Sequence, residues 1–291
     1  MRRKIGPFLP DIHHVPYPNC YRCQFGQMED SCRLECFAYF KTVLDNYLPA
    51  EEVAAVFFEP IAGDAGILVP PVKYVKALHQ LCQEKGILFV SEEVQQGFGR
   101  TGKWFGIEHF GVTPDAVILG KAIASGMPLS AIVARSEIIE SLDPPAHLFT
   151  TYANPVCCEA ALATIKVIQE ENLAHKSNVL GIYVKNRFNA LSDSYEIIGQ
   201  VRGLGLSIGV DLVTDRTTKE KAKSAAAKIC YRAWERGVIL SFFAENVLRV
   251  QPPLVISQEQ LDEALNIVED SIQEYMDDLI PDEVLTVIKG W

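Results

Sequence analysis

Two short apolar runs, residues 87–90 and 116–119, limit what this chain can fold into more than any other feature. Neither run contains a polar residue, and both end in ionisable groups. Ser91, Glu92 and Glu93 follow the first, and Gly120 and Lys121 follow the second. Runs without polar alternation suit strands buried on both faces, as in parallel sheets flanked by helices. In open α/β sheets the ligand sits beyond the carboxyl ends of the strands. Carboxylates closing one strand and a lysine closing the next therefore place opposite charges at the mouth of one crevice.

The flanking pattern extends this picture. Residues 53–58 read as a buried strand running into Glu59 and Pro60. Pro70 starts a helix with Val72, Val75, Leu78, Leu81 and Cys82 at helical spacing, and Gly86 stops it. Strand, helix and strand with short connections predict a parallel crossover. A turn at 125–128 leads into a strand over 129–134, and Asn154-Pro155 opens a long helix. That helix carries Ala161, Leu162, Ile165, Val167 and Ile168, and its pattern resumes over 179–191. From residue 197 the texture changes: a strand over 203–212, an amphipathic helix over 217–236, strands at 238–241 and 246–250, and a helix over 257–276. Ser257, with Gln260 three residues on, caps the last of these. The expected fold is α/β, with a partial large domain over 1–192 built on a mainly parallel sheet and a small α+β domain over 193–291.

Composition bounds the function. A formal net charge of −10 over 291 residues opposes a nucleic-acid or anionic-membrane surface, and no apolar run is long enough to span a bilayer. A soluble, cytoplasmic protein is expected, and eight cysteines then read as reduced thiols. Residues 1–50 read largely as loop, with His13 and His14 at the surface. Within them Cys20, Cys23, Cys32 and Cys36 have a spacing that could hold zinc. The second pair falls in a stretch that looks helical, so shielded loop thiols, and no metal, are the expectation.

Lys121 has two readings. A lysine at a strand end is ordinarily solvated. The alternative is an amine in a dry pocket, its pKa lowered so that it attacks a carbonyl and forms a Schiff base. A carboxylate across the crevice then suits a cofactor with a protonated ring nitrogen, as pyridoxal phosphate requires. Gly97, Gly99 and Gly102 raise a rival, a dinucleotide site. Two adjacent glutamates at the strand mouth would repel a pyrophosphate, and Pro114 would cut short the helix that should receive it.

These residues also carry a resemblance. EEVQQGFGRTG at 92–102, Pro114-Asp115 and GKAIASGMPLSAI at 120–132 resemble the signature of the class III aminotransferases, pyridoxal-phosphate enzymes that include 4-aminobutyrate and ornithine transaminases. MPLSAI at 127–132 and AHLFTT at 146–151 are similar to the amino-acid 2-epimerase, or racemase, branch. The resemblance covers nearly the whole chain and implies the fold type I of pyridoxal-phosphate-dependent transferases. It implies transamination of an amino acid with a keto acid, with racemisation as the alternative and a non-catalytic remnant as the third possibility.

Residue by residue, the resemblance implies that Lys121 forms the Schiff base with pyridoxal 5'-phosphate and then moves the α-proton. Glu92 would hold the pyridine nitrogen, where the family has aspartate. Val94 would pack on the ring face and Gln95 would bond the ring hydroxyl. Thr150 would reach the neighbouring subunit's phosphate, which implies a homodimer with shared sites. Arg249, in LRVQPPL, would grip the α-carboxylate, and Glu59 would pair with that arginine. Family members extend much further on the N-terminal side, where they carry a phosphate-cupping loop and a ring-stacking aromatic. Residues 1–50 contain only Gly6 and Gly26, with no Gly/Ser/Thr cluster heading a helix. An N-terminally truncated chain is therefore expected, one that exposes a sheet edge and binds the cofactor weakly alone.

Overall fold

A computed structural model describes residues 6–7, 9–146 and 148–288; His147 of the AHLFTT segment lies outside the described residues. After helix α1 (Glu35–Asn46) the chain lays down β1 (Ala55–Phe58), α2 (Val72–Lys85), β2 (Leu88–Glu92), β3 (Ala116–Leu119) and β4 (Ala131–Ala134). These strands form one sheet in chain order, with β1, β2 and β3 parallel and β4 antiparallel at the edge. Asp115 pins the register: its carboxylate accepts the Phe89 N–H at 2.7 Å, and its own N–H donates to the Phe89 carbonyl. α2 ends as its sequence foretells, with Gly86 at φ 69° donating to the last carbonyls. Its buried face, Tyr74, Val75, Leu78, Leu81 and Cys82, packs with Phe58 and Phe89 of the sheet and Phe40 and Leu44 of α1.

Two expected strands are less buried than their composition suggested. β1 starts at Ala55 and leaves Phe57 68% exposed. β4 starts at Ala131 and, as an edge, exposes Ile132 and Val133. A strand can be wholly apolar and still lack a cover on one face, and only tertiary packing decides that.

A short helix α3 (Ser136–Ile139) and an exposed turn lead to α4 (Pro155–Glu170) and α5 (Leu173–Ser194). Asn154 caps α4 by accepting the Val156 and Cys157 N–H groups. Ala161 and Ile168 face inward, whereas Leu162 and Val167 point to solvent. The stretch expected as one strand over 203–212 is a hairpin. β5 (Ile198–Leu204) and β6 (Ser207–Asp215) pair antiparallel around Gly205, whose φ of +53° a side chain would resist. The helix expected over 217–236 begins only at Lys223, because β7 (Glu220–Lys221) first pairs with β6. α6 (Lys223–Glu235) is followed by β8 (Ser241–Phe243), which starts at the end of the expected 238–241 strand. β9 (Val247–Val250) and α7 (Gln258–Met276) complete the unit, and the Ser257–Gln260 capping box is present.

This second sheet has the order β5-β6-β9-β8. Its core includes Leu180, Val184 and Phe188 of α5, so the small unit proposed from residue 193 takes in that helix as well.

Asp211 lies fully buried in the middle of β6 and is the anchor between the two sheets. Arg22 binds its carboxylate bidentately at 2.6 and 2.7 Å, Arg202 donates at 2.8 Å, and Asn246 Nδ2 at 2.6 Å. Arg202 also donates twice to the Gly66 carbonyl in the loop after β1. Removing one member of such a buried network strands the opposite charges. Asp211→Ala is expected to destabilise the chain by about 3–5 kcal/mol in urea unfolding. A loss within about 0.5 kcal/mol, the size of an ordinary surface substitution, would refute the anchoring role.

Candidate active site

The carboxyl ends of β2 and β3 open into a cavity of about 530 Å³, a size suited to a small molecule. Val94, Gln95 and Lys121 line it from the first sheet, and Arg249 and Phe243 line it from the second. Four of the seven residues marked in the sequence thus meet in one pocket. Two glycines allow the approach. Gly120 lets Val94 pack against the backbone beside Lys121, where a Cβ would come within 3.2 Å of a Val94 methyl. Gly63 lies under the Gln95 amide. Lys121 itself has φ 43°, a left-handed conformation that costs a non-glycine residue on the order of 1 kcal/mol. The dry pocket expected around this amine is not formed, because Lys121 is exposed at the mouth of an open cleft.

The other three residues stand differently. Glu92 folds its carboxylate back onto its own strand end, Oε1 accepting the Val94 N–H at 2.8 Å, and is absent from the described lining. Glu59 accepts the Gly63 N–H at 2.9 Å. Burial raises its pKa, the Gly63 bond opposes this, Glu92 and Asp64 add to it, and Lys121 lowers it. Glu59, Glu92, Asp64 and Lys121 therefore share one electrostatic neighbourhood. The expected Glu59–Arg249 pair is not made. The loop turns back through the Ala62–Leu68 bridge, and Asp64 faces Arg249 at 3.6 Å instead. Thr150 lies exposed in the segment before α4, outside the described lining.

Arg249 rests its guanidinium 3.9 Å from the centre of the Phe243 ring, a cation–π contact that uses none of its N–H donors. Burial lowers its pKa and Asp64 offsets part of that. Gln95 gives its amide N–H to Asp64 at 3.2 Å, while its Oε1 is buried without a partner among the described residues. A buried acceptor of this kind awaits a donor, and a phenolic ring hydroxyl would supply one. The carboxylates around Lys121 likewise suit a protonated ring nitrogen. The ring half of pyridoxal phosphate thus fits these residues. No α-helix N-terminus lies among the described lining residues to receive a phosphate.

Sequence reasoning missed Asp64, Arg100, Ser241, Phe243 and Gln251 in this wall. Arg100 had a signal, since it belongs to the GFGRTG turn. That turn is not a dinucleotide cradle: the chain passes from it through turns into the 3-10 segment Gly106–Phe110, and no α-helix follows. Arg100 donates instead to the Leu206 and Pro252 carbonyls, at 3.1 and 2.6 Å.

The chain belongs to the aminotransferase class-III family, whose profile matches residues 1–272. It is 49% identical over 291 residues to the leucine/methionine racemase of Thermococcus litoralis, covering all of this chain and 66% of that protein. It is 48% identical over 272 residues to the isoleucine 2-epimerase of Lentilactobacillus buchneri, covering 93% of this chain and 60% of that protein. Among solved structures, a Bacillus anthracis aminotransferase superposes with a TM-score of 0.87 at 31% identity, over 94% of this chain and 64% of its own. The chain thus spans less than two thirds of the length of each, and its architecture is that of the fold type I pyridoxal-phosphate enzymes.

Beneath the pocket, Glu93 is fully buried and accepts the Gly106 and Ile107 N–H groups, both at 2.8 Å. Burial raises its pKa from 4.5 to about 7 against the pull of those two bonds and of Ser91. Between these values the folded chain holds a proton that the unfolded chain releases, so stability falls as pH rises from 4.5 to 7 and is level above. Glu93→Gln removes this titration. Across that window wild type is expected to lose about 1–3 kcal/mol relative to the variant in urea unfolding. Parallel pH profiles for the two proteins would contradict the assignment.

Proposed function

We propose that this chain carries the lysine-bearing part of a pyridoxal-phosphate-dependent amino-acid racemase (2-epimerase) acting on medium-sized apolar amino acids. The observation that carries this reading is the convergence of Lys121, Val94, Gln95 and Arg249 on one cavity. Racemisation is preferred to transamination, the main expectation from sequence, because the relatives at 48% and 49% identity bear racemase and epimerase names. The apolar part of the wall, Phe98, Ala122, Phe243 and Leu254, suits an aliphatic side chain.

Pyridoxal phosphate supplies an aldehyde that condenses with amines and an electron-withdrawing ring that acidifies the α-C–H of a bound amino acid. The chain's own residues do the rest. Arg249 takes the α-carboxylate through two parallel N–H donors, displacing its long contact to Asp64. Gln95 Oε1 would accept from the ring hydroxyl, and Val94 would close one ring face. Glu92, together with Glu59 and Asp64 nearby, would supply negative charge to the ring nitrogen. Lys121 Nζ takes the proton from the α-carbon and gives it back. Lys121 would return that proton only on its own face, so racemisation would also need solvent, entering through the open cleft, to protonate the opposite face. Return to the cofactor's carbon would instead be the first half of transamination. Thr150, exposed before α4, is the residue that would reach a second copy's phosphate in a homodimer. A cytoplasmic location accords with the absence, among the described residues, of any helix long and apolar enough to cross a membrane.

Incubation with pyridoxal phosphate followed by borohydride is expected to label Lys121, at low occupancy because no α-helix N-terminus among the described lining residues receives the phosphate. Label on other lysines, unchanged in Lys121→Ala, would sink the assignment. With L-leucine and no keto acid, slow formation of D-leucine is expected. Lys121→Ala should slow it by at least ~10²-fold, the lower range for losing a positioned acid–base group. Turnover only when a keto acid is added would favour transamination.

A further inference from the structure

Cys20, Cys23, Cys32 and Cys36 are the residues whose spacing the proposed activity leaves unused. All four line one small cavity of about 20 Å³, closed by Tyr17 and Pro71. That is room for a single water-sized body. Each sulfur lies within electrostatic range of others in the group. The sequence weighs against a site because the second pair falls in a stretch that looks helical from Cys32 onward. The structure removes that objection: α1 begins at Glu35, so Cys32 precedes the helix and Cys36 lies in its first turn. Leu34, at φ 65°, bends the chain between them, and its N–H donates to Cys32 Sγ at 3.3 Å.

The geometry points to a structural site for one zinc ion, held by the thiolates of Cys20, Cys23, Cys32 and Cys36. Pair spacings of two and three residues lie within the range of tetrahedral thiolate sites. Burial disfavours a Cys36 thiolate, and the backbone N–H groups at the first turn of α1 oppose that effect. No three His, Cys, Asp or Glu among the described residues form a metal-holding group, so binding zinc requires these side chains to turn toward one another. The cause lies partly in Cys32, whose S–H donates to Glu35 at 3.3 Å. Zinc replaces the four thiol protons, releases them to solvent and frees Cys32 from Glu35.

The consequence reaches the other sheet. Between Cys20 and Cys23 lie Tyr21 and Arg22. Arg22 clasps Asp211, and the Tyr21 ring sits under the Lys219 amine at 4.7 Å. A metal fixing both ends of this short loop holds the Arg22 anchor in place without touching the active-site cavity.

The test is metal analysis of the full chain, purified anaerobically and incubated with zinc, alongside Cys20→Ser/Cys23→Ser and Cys32→Ser/Cys36→Ser double variants and a Cys158→Ser control. About one equivalent of zinc is expected in wild type and control, with loss in both double variants. Cobalt(II) titrated into wild type should give the intense thiolate charge-transfer bands of a tetrahedral site, and chelation should lower the thermal unfolding midpoint. These readouts need no cofactor, so they stand or fall apart from the racemase reading. Wild type without bound metal, zinc retained by both double variants, or sulfide-labile iron in its place would each overturn the proposal.

Discussion

The active-site geometry depends on a guanidinium with no carboxylate partner among the described residues. Arg100 leaves the turn after β2 and spends its donors on two backbone carbonyls, Leu206 at the tip of the β5–β6 hairpin and Pro252 just beyond β9. Burial brings its pKa down to about 10, with Arg249 adding to the effect. Ser177 of α5 completes the joint, donating to the Arg100 carbonyl and accepting the Leu206 N–H. Gly205 lies so close to the Arg100–Gly102 backbone, and to Gly181 of α5, that a Cβ on either Gly181 or Gly205 would collide with main-chain atoms. One nitrogen of Arg100, Nη1, bridges the two carbonyls and so ties the β5–β6 hairpin tip to the chain just beyond β9. Through this joint the turn beside Lys121 and the strand bearing Arg249 keep a fixed separation.

A second tie sets the charge pattern of the pocket. Arg202 reaches from β5 to the Gly66 carbonyl and so positions the loop that carries Asp64. Because Arg202 is also bound to Asp211, the placement of Asp64 traces back to the buried carboxylate that Arg22 clasps. Acids gather around Lys121, and Arg249 lines the wall that the second sheet supplies. That polarity matches a substrate with a carboxylate at one end and a cofactor ring with a cationic nitrogen at the other.

The strand ends were readable because they combine two signals, apolar runs and the charges that close them. β2 and β3 fell where those runs lie, and α2 and α7 where their caps lie. The β5–β6 hairpin was not readable as two strands, since the apolar pattern runs unbroken through its turn and only the φ of Gly205 separates them. Asp64 was hidden for a different reason. Its role comes from a loop that folds back on itself, and no local spacing encodes that. Glu59 was read as the partner of Arg249 by likeness, yet its carboxylate is taken up by the Gly63 N–H. The cysteine group inverts the lesson. Its spacing was visible, and the start of α1, a boundary that sequence places only to within a few residues, decided whether the four sulfurs could meet.

How firmly such a pocket can hold pyridoxal phosphate follows from where its polar groups are already committed. A phosphate dianion needs clustered N–H donors or unengaged cations. Arg100 is tethered by two carbonyls through Nη1, and Arg249 faces Asp64 at 3.6 Å, so both cations of this wall are already engaged. Lys121, on the proposed reading, is the amine that a Schiff base would consume. The ring, in contrast, meets an unpartnered acceptor at Gln95, an apolar face at Val94 and a surplus of carboxylates. Binding to this chain therefore leans on the ring and the covalent bond. On the proposed reading, the phosphate would draw its donors from groups other than the described lining residues, near the exposed Lys121 at the mouth of the cavity.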